Sequence, residues 1–211
     1  MDVSAAVYLG LLAAVGLGLL VEMRISARHQ RRLAARGVAK VPEKHFRWMV
    51  LLHVGILVSA GLEVVLLRRP LIPALALAMG ALFVLSNALR WWVIATLAEH
   101  WNIQVMASTR LGVVADGPYR WVRHPNYAAV FVEMLALPLI HTAWLTALGG
   151  CAMHLWVLRR RIAVEEAVLL ADPAYCAAMA AKPRFVPRVF PRGSSVPPAS
   201  EQIGEAARKG L

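Results

Sequence analysis

Apolar residues run through this chain in blocks too long for the core of a small soluble domain. Val3–Val21 is the first, Trp48–Leu67 the second and Leu71–Ile94 the third. Each is about 20 residues, the length an α-helix needs to cross the hydrocarbon core of a bilayer. Arg68, Arg69 and Pro70 divide the second block from the third, and Asn87 and Arg90 interrupt the third near its inner end. Ala128–Ile140 and Ala143–Leu158 are shorter, with His141 and Thr142 between them. Fused into one helix they would overshoot a single crossing, so a hairpin of two short or tilted helices is expected. The pattern predicts an all-α integral membrane protein with about five transmembrane helices.

The polar segments add smaller elements. NIQVM and LGVVA flank Ala107–Arg110 and predict a small hairpin, and Asp116-Gly117-Pro118 is a turn signal. After the fifth block, RRRIAVEEAVLLA reads as a helix with Arg161 and Glu165 on one face. Asp172 followed by Pro173 reads as a cap and first residue of another helix. Residues 1–190 are expected to form one domain, and the Pro/Ser/Gly-rich residues 191–211 a disordered tail.

Charge orients the spans. The net charge is +11, yet the basic residues lie between apolar runs, which suits a membrane surface better than nucleic acid. Eight Lys/Arg fall in Arg24–Arg47, four around the segment between blocks three and four, and nine after block five. Only Arg68 and Arg69 remain for the opposite side. The asymmetry predicts an outer N-terminus, a cytoplasmic C-terminus and a cytoplasmic position for residues 117–127. The first block lacks a basic flank before it and is followed by many arginines, so it reads as a retained span. Cys151 and Cys176 have no metal-type spacing and read as unpaired thiols, with no metal expected.

Three polar stretches then converge on one face: Gln104 to Val114, GPYRWVRHPNY at 117–127, and RIAVEE at 161–166. Arg123 and His124 offer donors to an anion. Tyr119, Trp121 and Tyr127 offer flat faces to a heterocycle or cation. Glu165 and Glu166 offer negative charge to an amine or another positive centre. S-adenosylmethionine carries all of these groups. Taken singly, the arginines also fit snorkelling anchors, the aromatics an interfacial belt, and Glu165 a surface pair with Arg161.

GPYRWVRHPNY, followed by a helical hairpin and then R-I-x-x-E-E, resembles the isoprenylcysteine carboxyl methyltransferase family of integral membrane enzymes. The resemblance covers about residues 75–190. RHPxY alone is shared with membrane sterol reductases, whereas the glutamate pair favours methyl transfer. The resemblance implies S-adenosylmethionine bound in a cytoplasm-facing pocket formed by the C-terminal half. It assigns cofactor contacts to Gln104, Leu111, Gly112, Val113, Val114, Tyr119, His124, Pro125, Asn126, Tyr127, Glu165 and Glu166. Arg161 matches a position at the methyl acceptor. Two departures stand out: Tyr175 is followed three residues on by Ala178 where the family often has a second tyrosine, and the N-terminal half is unlike the eukaryotic enzymes. That half looks more like a bacterial branch that includes alkylpyrone methyltransferases, which places the protein in a bacterial inner membrane.

The expected chemistry is one in-line methyl transfer to an oxygen of a lipidic, prenyl or alkyl-chain acceptor. A carboxylate, already ionised at neutral pH, or an acidic enol hydroxyl needs no strong base. Arg161, with Arg123, would hold the anionic oxygen. The acceptor's tail stays in the bilayer and enters between helices. Glu133, one to two turns into the fourth block, is the intramembrane ionisable group expected on that route, with pairing to Asn87 or His154 as the structural alternative. Glu63 is expected to meet Arg68 or water. The rival readings are a phospholipid-type N-methyltransferase and a non-catalytic membrane scaffold.

Overall fold

The computed structural model describes residues 2–38, 41, 46–104 and 112–187. Among them the chain is helical, with no strand. Five long helices follow one another: α1 (Val3–Ala35), α2 (Phe46–Leu66), α3 (Pro73–Leu97), α4 (Pro125–Leu139) and α5 (Trp144–Leu169). A short α6 (Pro173–Met179) is the last helix of the described chain, which runs on to residue 187. The hairpin expected around Ala107–Arg110, and the tail from residue 191, lie outside the described residues.

Local chemistry explains the helix ends. The Asp2 carboxylate accepts from Ser4 N–H at 3.2 Å and starts α1. At the other end Gly37 takes a left-handed φ of +76°. Val38 N–H then reaches back to Leu33 C=O at 3.1 Å, and the two side chains pack together. Proline opens α3, α4 and α6, where its missing N–H costs nothing. Asp172 caps α6 as expected, accepting from Ala174 N–H at 2.9 Å and Tyr175 N–H at 3.1 Å.

Three helices are long and apolar enough to cross a membrane: α1, α2 and α3 with its following turn. Their outward residues, among them Val3, Leu17, Leu77, Val84 and Leu85, are apolar and exposed, a surface that only lipid would satisfy. The chain is a multi-pass membrane protein. α1 and α5 both run past the hydrophobic limit read from the sequence, at Val21 and Leu158 respectively. Hydropathy ends there, but the backbone ladder continues through the charged residues. RIAVEE is therefore the last part of α5 and not a separate helix.

α3 packs chiefly on α4, α4 on α5, and α5 on α2, with α1 beside α2. At one end Tyr8, Leu12, Ala60, Val64, Leu137 and Ala143 form an apolar core, and Tyr8 donates to Leu137 C=O at 3.1 Å. Thr142, at φ +53°, turns the chain from α4 into α5. Glu63 of α2 caps that turn, accepting from Leu145 N–H at 3.1 Å and from Thr146 N–H and hydroxyl at 2.8 Å. Its cation is Arg69, at 2.8 Å, in place of the expected Arg68. Arg68 takes φ +47° at the turn, and it is the next residue whose guanidinium reaches back to α2.

Candidate functional site

The opposite end is built by the polar stretches. Gly117 opens a 3-10 turn, Gly117–Arg120, at φ +53°, and a Cβ there would stand 2.4 Å from Thr96 Oγ1. Only glycine lets this turn lie against α3. The turn delivers Tyr119 to the apolar set of Val93, Ile94 and Trp101. Burial pushes the Tyr119 phenol up, so it stays protonated.

His124 and Pro125 start α4, and the chain after α6 fastens that start. Arg123 N–H donates to Pro183 C=O and His124 N–H to Arg184 C=O, both at 2.9 Å. Lys182 Nζ donates to Tyr119 C=O at 2.8 Å. Glu166 of α5 is the common anchor. It accepts from Arg184 Nε at 3.1 Å and Nη2 at 2.5 Å, and from His124 Nε2 at 3.0 Å, with Arg123 Nη1 at 3.4 Å. The Arg184 hydrogen bonds first, then those of His124 and the Arg123 charge, pull its carboxyl down to about 2.

Glu165, one residue earlier, does different work. Tyr127 donates its hydroxyl hydrogen to Glu165. Arg161 Nε donates to the same phenol oxygen at 2.7 Å, and its guanidinium lies 5.5 Å from the Tyr127 ring centre. Arg161 also donates to Ile103 C=O and, at 2.9 Å, to Met49 Sδ. α1 fixes the 101–104 segment from the other side: Ser26 Oγ accepts from Ile103 N–H at 3.0 Å, and His29 Nδ1 donates to Trp101 C=O at 2.8 Å.

One cavity of about 320 Å³ joins these residues. Gln104, Gly112, Val113 and Val114 line it from one stretch, and Tyr119, Arg123, His124, Asn126 and Tyr127 from another. Arg161 and Glu165 line it from α5. The cavity continues between α1 and α2 along an apolar wall that includes Leu19, Leu20, Val50, Val54 and Leu57. Leu111 lies outside the described residues. Pro125, Glu133 and Glu166 are buried but do not line the cavity. Pro125 starts a helix, Glu166 anchors the clasp, and Glu133 belongs to an ion network. In that network Arg90 Nη2 lies 2.5 Å from Glu22 and Arg90 Nε 3.3 Å from Glu133, while Asn87 donates to Glu133 at 3.2 Å. Of the partners expected for Glu133, Asn87 is the one found.

Several residues here escaped the sequence reading. Lys182, Arg184 and Phe185 fasten the start of α4, and Phe185 packs on His124 with ring centres 6.3 Å apart. KPRF in an irregular segment carries no signal of its own. Glu22, just past the first apolar run, and His53, within the second, did carry one as polar residues in apolar surroundings.

The cavity's unpaired polar atoms can be set against a cofactor. Among the described residues, buried Asn126 Oδ1 and Arg123 Nε have no hydrogen-bond partner, one an acceptor and one a donor. With the Glu165 carboxylate and the Tyr119 ring they offer an acceptor for an amine, a donor for a carboxylate, an anion for a cation and a flat face. That donor set fits S-adenosylmethionine. Residues 76–171 match the isoprenylcysteine carboxyl methyltransferase family. The resemblance read from the motifs is borne out over that segment.

The chain is also 26% identical over 141 residues to the uncharacterized protein YpbQ of Bacillus subtilis (strain 168). It is 26% identical over 143 residues to an uncharacterized protein of Haemophilus influenzae. Each match covers 67% of this chain and 83% of the relative. Among solved structures, the eukaryotic intramembrane Ras methyltransferase ICMT matches with a TM-score of 0.48 at 23% identity. That match covers 65% of this chain and 50% of the other.

Proposed function

We propose that the protein is an S-adenosylmethionine-dependent O-methyltransferase acting on a carboxylate or acidic hydroxyl of a lipidic acceptor. The observation that carries the reading is the single cavity lined by both motif stretches and by Arg161, continuing into an apolar passage between α1 and α2. A water-soluble, charged cofactor suits the polar end, and an alkyl or prenyl tail suits the apolar end. Five crossings, with the N-terminus outside and the polar end at the cytoplasmic face of a bacterial inner membrane, fit the distribution of Lys and Arg.

S-adenosylmethionine would supply an electrophilic methyl group on a sulfonium. Gln104, Val113, Val114, Tyr119, His124, Asn126, Tyr127 and Glu165 would hold it, with Asn126 Oδ1 and Arg123 Nε finding their missing partners. Arg161 places permanent positive charge where an acceptor oxygen must sit. The protein's contribution is alignment and charge placement. An amine acceptor would need a carboxylate or base at that point, so arginine favours oxygen over the N-methyl alternative.

Titration of purified protein in detergent with S-adenosylmethionine tests the reading. Saturable binding is expected. Arg161→Ala should cut methyl transfer at least about a hundredfold while changing cofactor affinity far less. No binding by the wild-type protein would leave a membrane scaffold as the better account. Unchanged turnover of Arg161→Ala would remove its role at the acceptor.

A further inference from the structure

The reading above leaves a pair of histidines in the cavity wall without a task. His53 of α2 and His154 of α5 meet edge to face, with ring centres 5.5 Å apart, and both line the cavity. His154 is 3% exposed, and neither of its ring nitrogens has a hydrogen-bond partner among the described residues. A buried imidazole with two unpaired nitrogens is a poor core residue, because it forfeits hydration and gains no bond. His53 is oriented. Its Nδ1 lies 2.7 Å from Met49 C=O, which can only accept, so Nδ1 carries the hydrogen and Nε2 keeps its lone pair.

The pair also sits beside the charge that the acceptor would meet. His154 precedes Arg161 by seven residues, two helical turns or about 10 Å on the same face. The Arg161 guanidinium reaches back to Met49 Sδ at 2.9 Å, on the residue whose carbonyl holds His53. The charged groups lining the cavity are Glu22 of α1, Arg90 of α3, Arg123, and Arg161 and Glu165 of α5, with Glu133 of α4 paired to Arg90.

Building on the methyltransferase reading, we infer that His154, oriented by His53, accepts the proton of a hydroxyl on the lipidic acceptor. A carboxylate brings no proton to remove, so an imidazole pair at this place selects a hydroxyl of the enol or phenol class. The hydroxyl proton passes to an imidazole nitrogen of His154 as the oxygen bonds to the methyl carbon. The carbon–sulfur bond breaks with its electrons going to sulfur, leaving a methyl ether, a neutral thioether and one imidazolium. The positive charge has moved from sulfonium to His154, and the proton leaves through the cavity. Imidazole suits this because a neutral ring keeps one nitrogen lone pair that can take the proton, and neither nitrogen of His154 is claimed by a neighbour among the described residues.

A binding experiment without methyl transfer tests it. The probe is a nitrophenol bearing a long alkyl chain, whose phenol and phenolate absorb at different wavelengths. Wild-type protein in detergent, at a pH near the probe's own midpoint, should raise the phenolate fraction of bound probe several-fold over His154→Phe. His154→Gln, which can hydrogen-bond but not hold the proton, should behave like His154→Phe, and His53→Phe should reduce the effect. His53→Phe also supplies the comparison if His154→Phe does not fold. In turnover, His154→Phe should lose about a hundredfold or more with a hydroxyl acceptor and only a few-fold with a carboxylic acid of equal chain length. Equal phenolate fractions in wild type and variants, or wild type that leaves the probe unshifted, would overturn the assignment. Wild type that fails to bind S-adenosylmethionine would instead sink the methyltransferase reading beneath it.

Discussion

Tyr127, in the first turn of α4, holds Glu165 and Arg161 of α5 through a single oxygen: it donates to the carboxylate and accepts from Arg161 Nε at 2.7 Å. Two motifs more than thirty residues apart are thereby locked in one geometry. The phenol serves as donor and acceptor at once, so no other side chain of its size replaces both links.

Tyr127→Phe keeps the ring and deletes both bonds. Freeing Glu165 and Arg161 from that oxygen lets the cavity wall shift, so cofactor affinity should fall roughly tenfold, about 1.4 kcal/mol. Calorimetric titration with S-adenosylmethionine measures it. An unchanged Kd would separate this tyrosine from the cofactor.

Glu166 should behave as an anchor. Its carboxyl is held at about 2 against an ordinary value of 4.5. A depressed pKa gives stability that is fully present above the ordinary value and is lost as pH falls toward the folded one. Glu166→Gln should therefore lower Tm by roughly 4–8 °C at neutral pH, for about 2 kcal/mol. The gap between wild type and variant should narrow as pH falls from about 4.5 toward 2. A gap independent of pH would contradict the assignment.

Gly117→Ala adds a Cβ 2.4 Å from Thr96 Oγ1 and places alanine at φ +53°. The left-handed backbone alone costs about 1–2 kcal/mol, and the clash adds to it. Thr96→Ala in the same chain removes the nearest two atoms but not the backbone cost. Thermal unfolding should show partial rescue in the double variant. Full rescue, or none, would refute this division.

The Glu22–Arg90–Glu133 network sits within the helix bundle. Removing its one cation leaves two buried carboxylates, a loss of about 3–5 kcal/mol. Arg90→Met should show that loss in thermal unfolding. Adding Glu22→Gln and Glu133→Gln should restore much of it, and a further loss of similar size would contradict the network's role.

Much of this was legible in the chain. The apolar runs located α2, α3 and α4 to within three residues at each end, and Asp172-Pro173 marked the start of α6 because capping is chemistry between near neighbours. GPYRWVRHPNY and RIAVEE identified two walls of the cavity. Pairings between helices were not legible. That Glu63 meets Arg69 and not Arg68, that Glu166 is claimed by Arg184 while Glu165 meets Tyr127, and that His53 faces His154 all depend on rotation and register. Adjacent glutamates point about 100° apart on a helix, so one lines the cavity and the other anchors the clasp. α5 ran past its expected end because hydropathy reports lipid contact, not helix length.

The most direct measurement follows a labelled methyl group. Purified protein is incubated with methyl-labelled S-adenosylmethionine and a lipid extract, and the products are separated by mass. Label should appear on oxygen in an apolar product, with Tyr127→Phe and Arg161→Ala greatly reduced. Label on nitrogen, or wild-type protein that transfers nothing and binds no cofactor, would contradict the account.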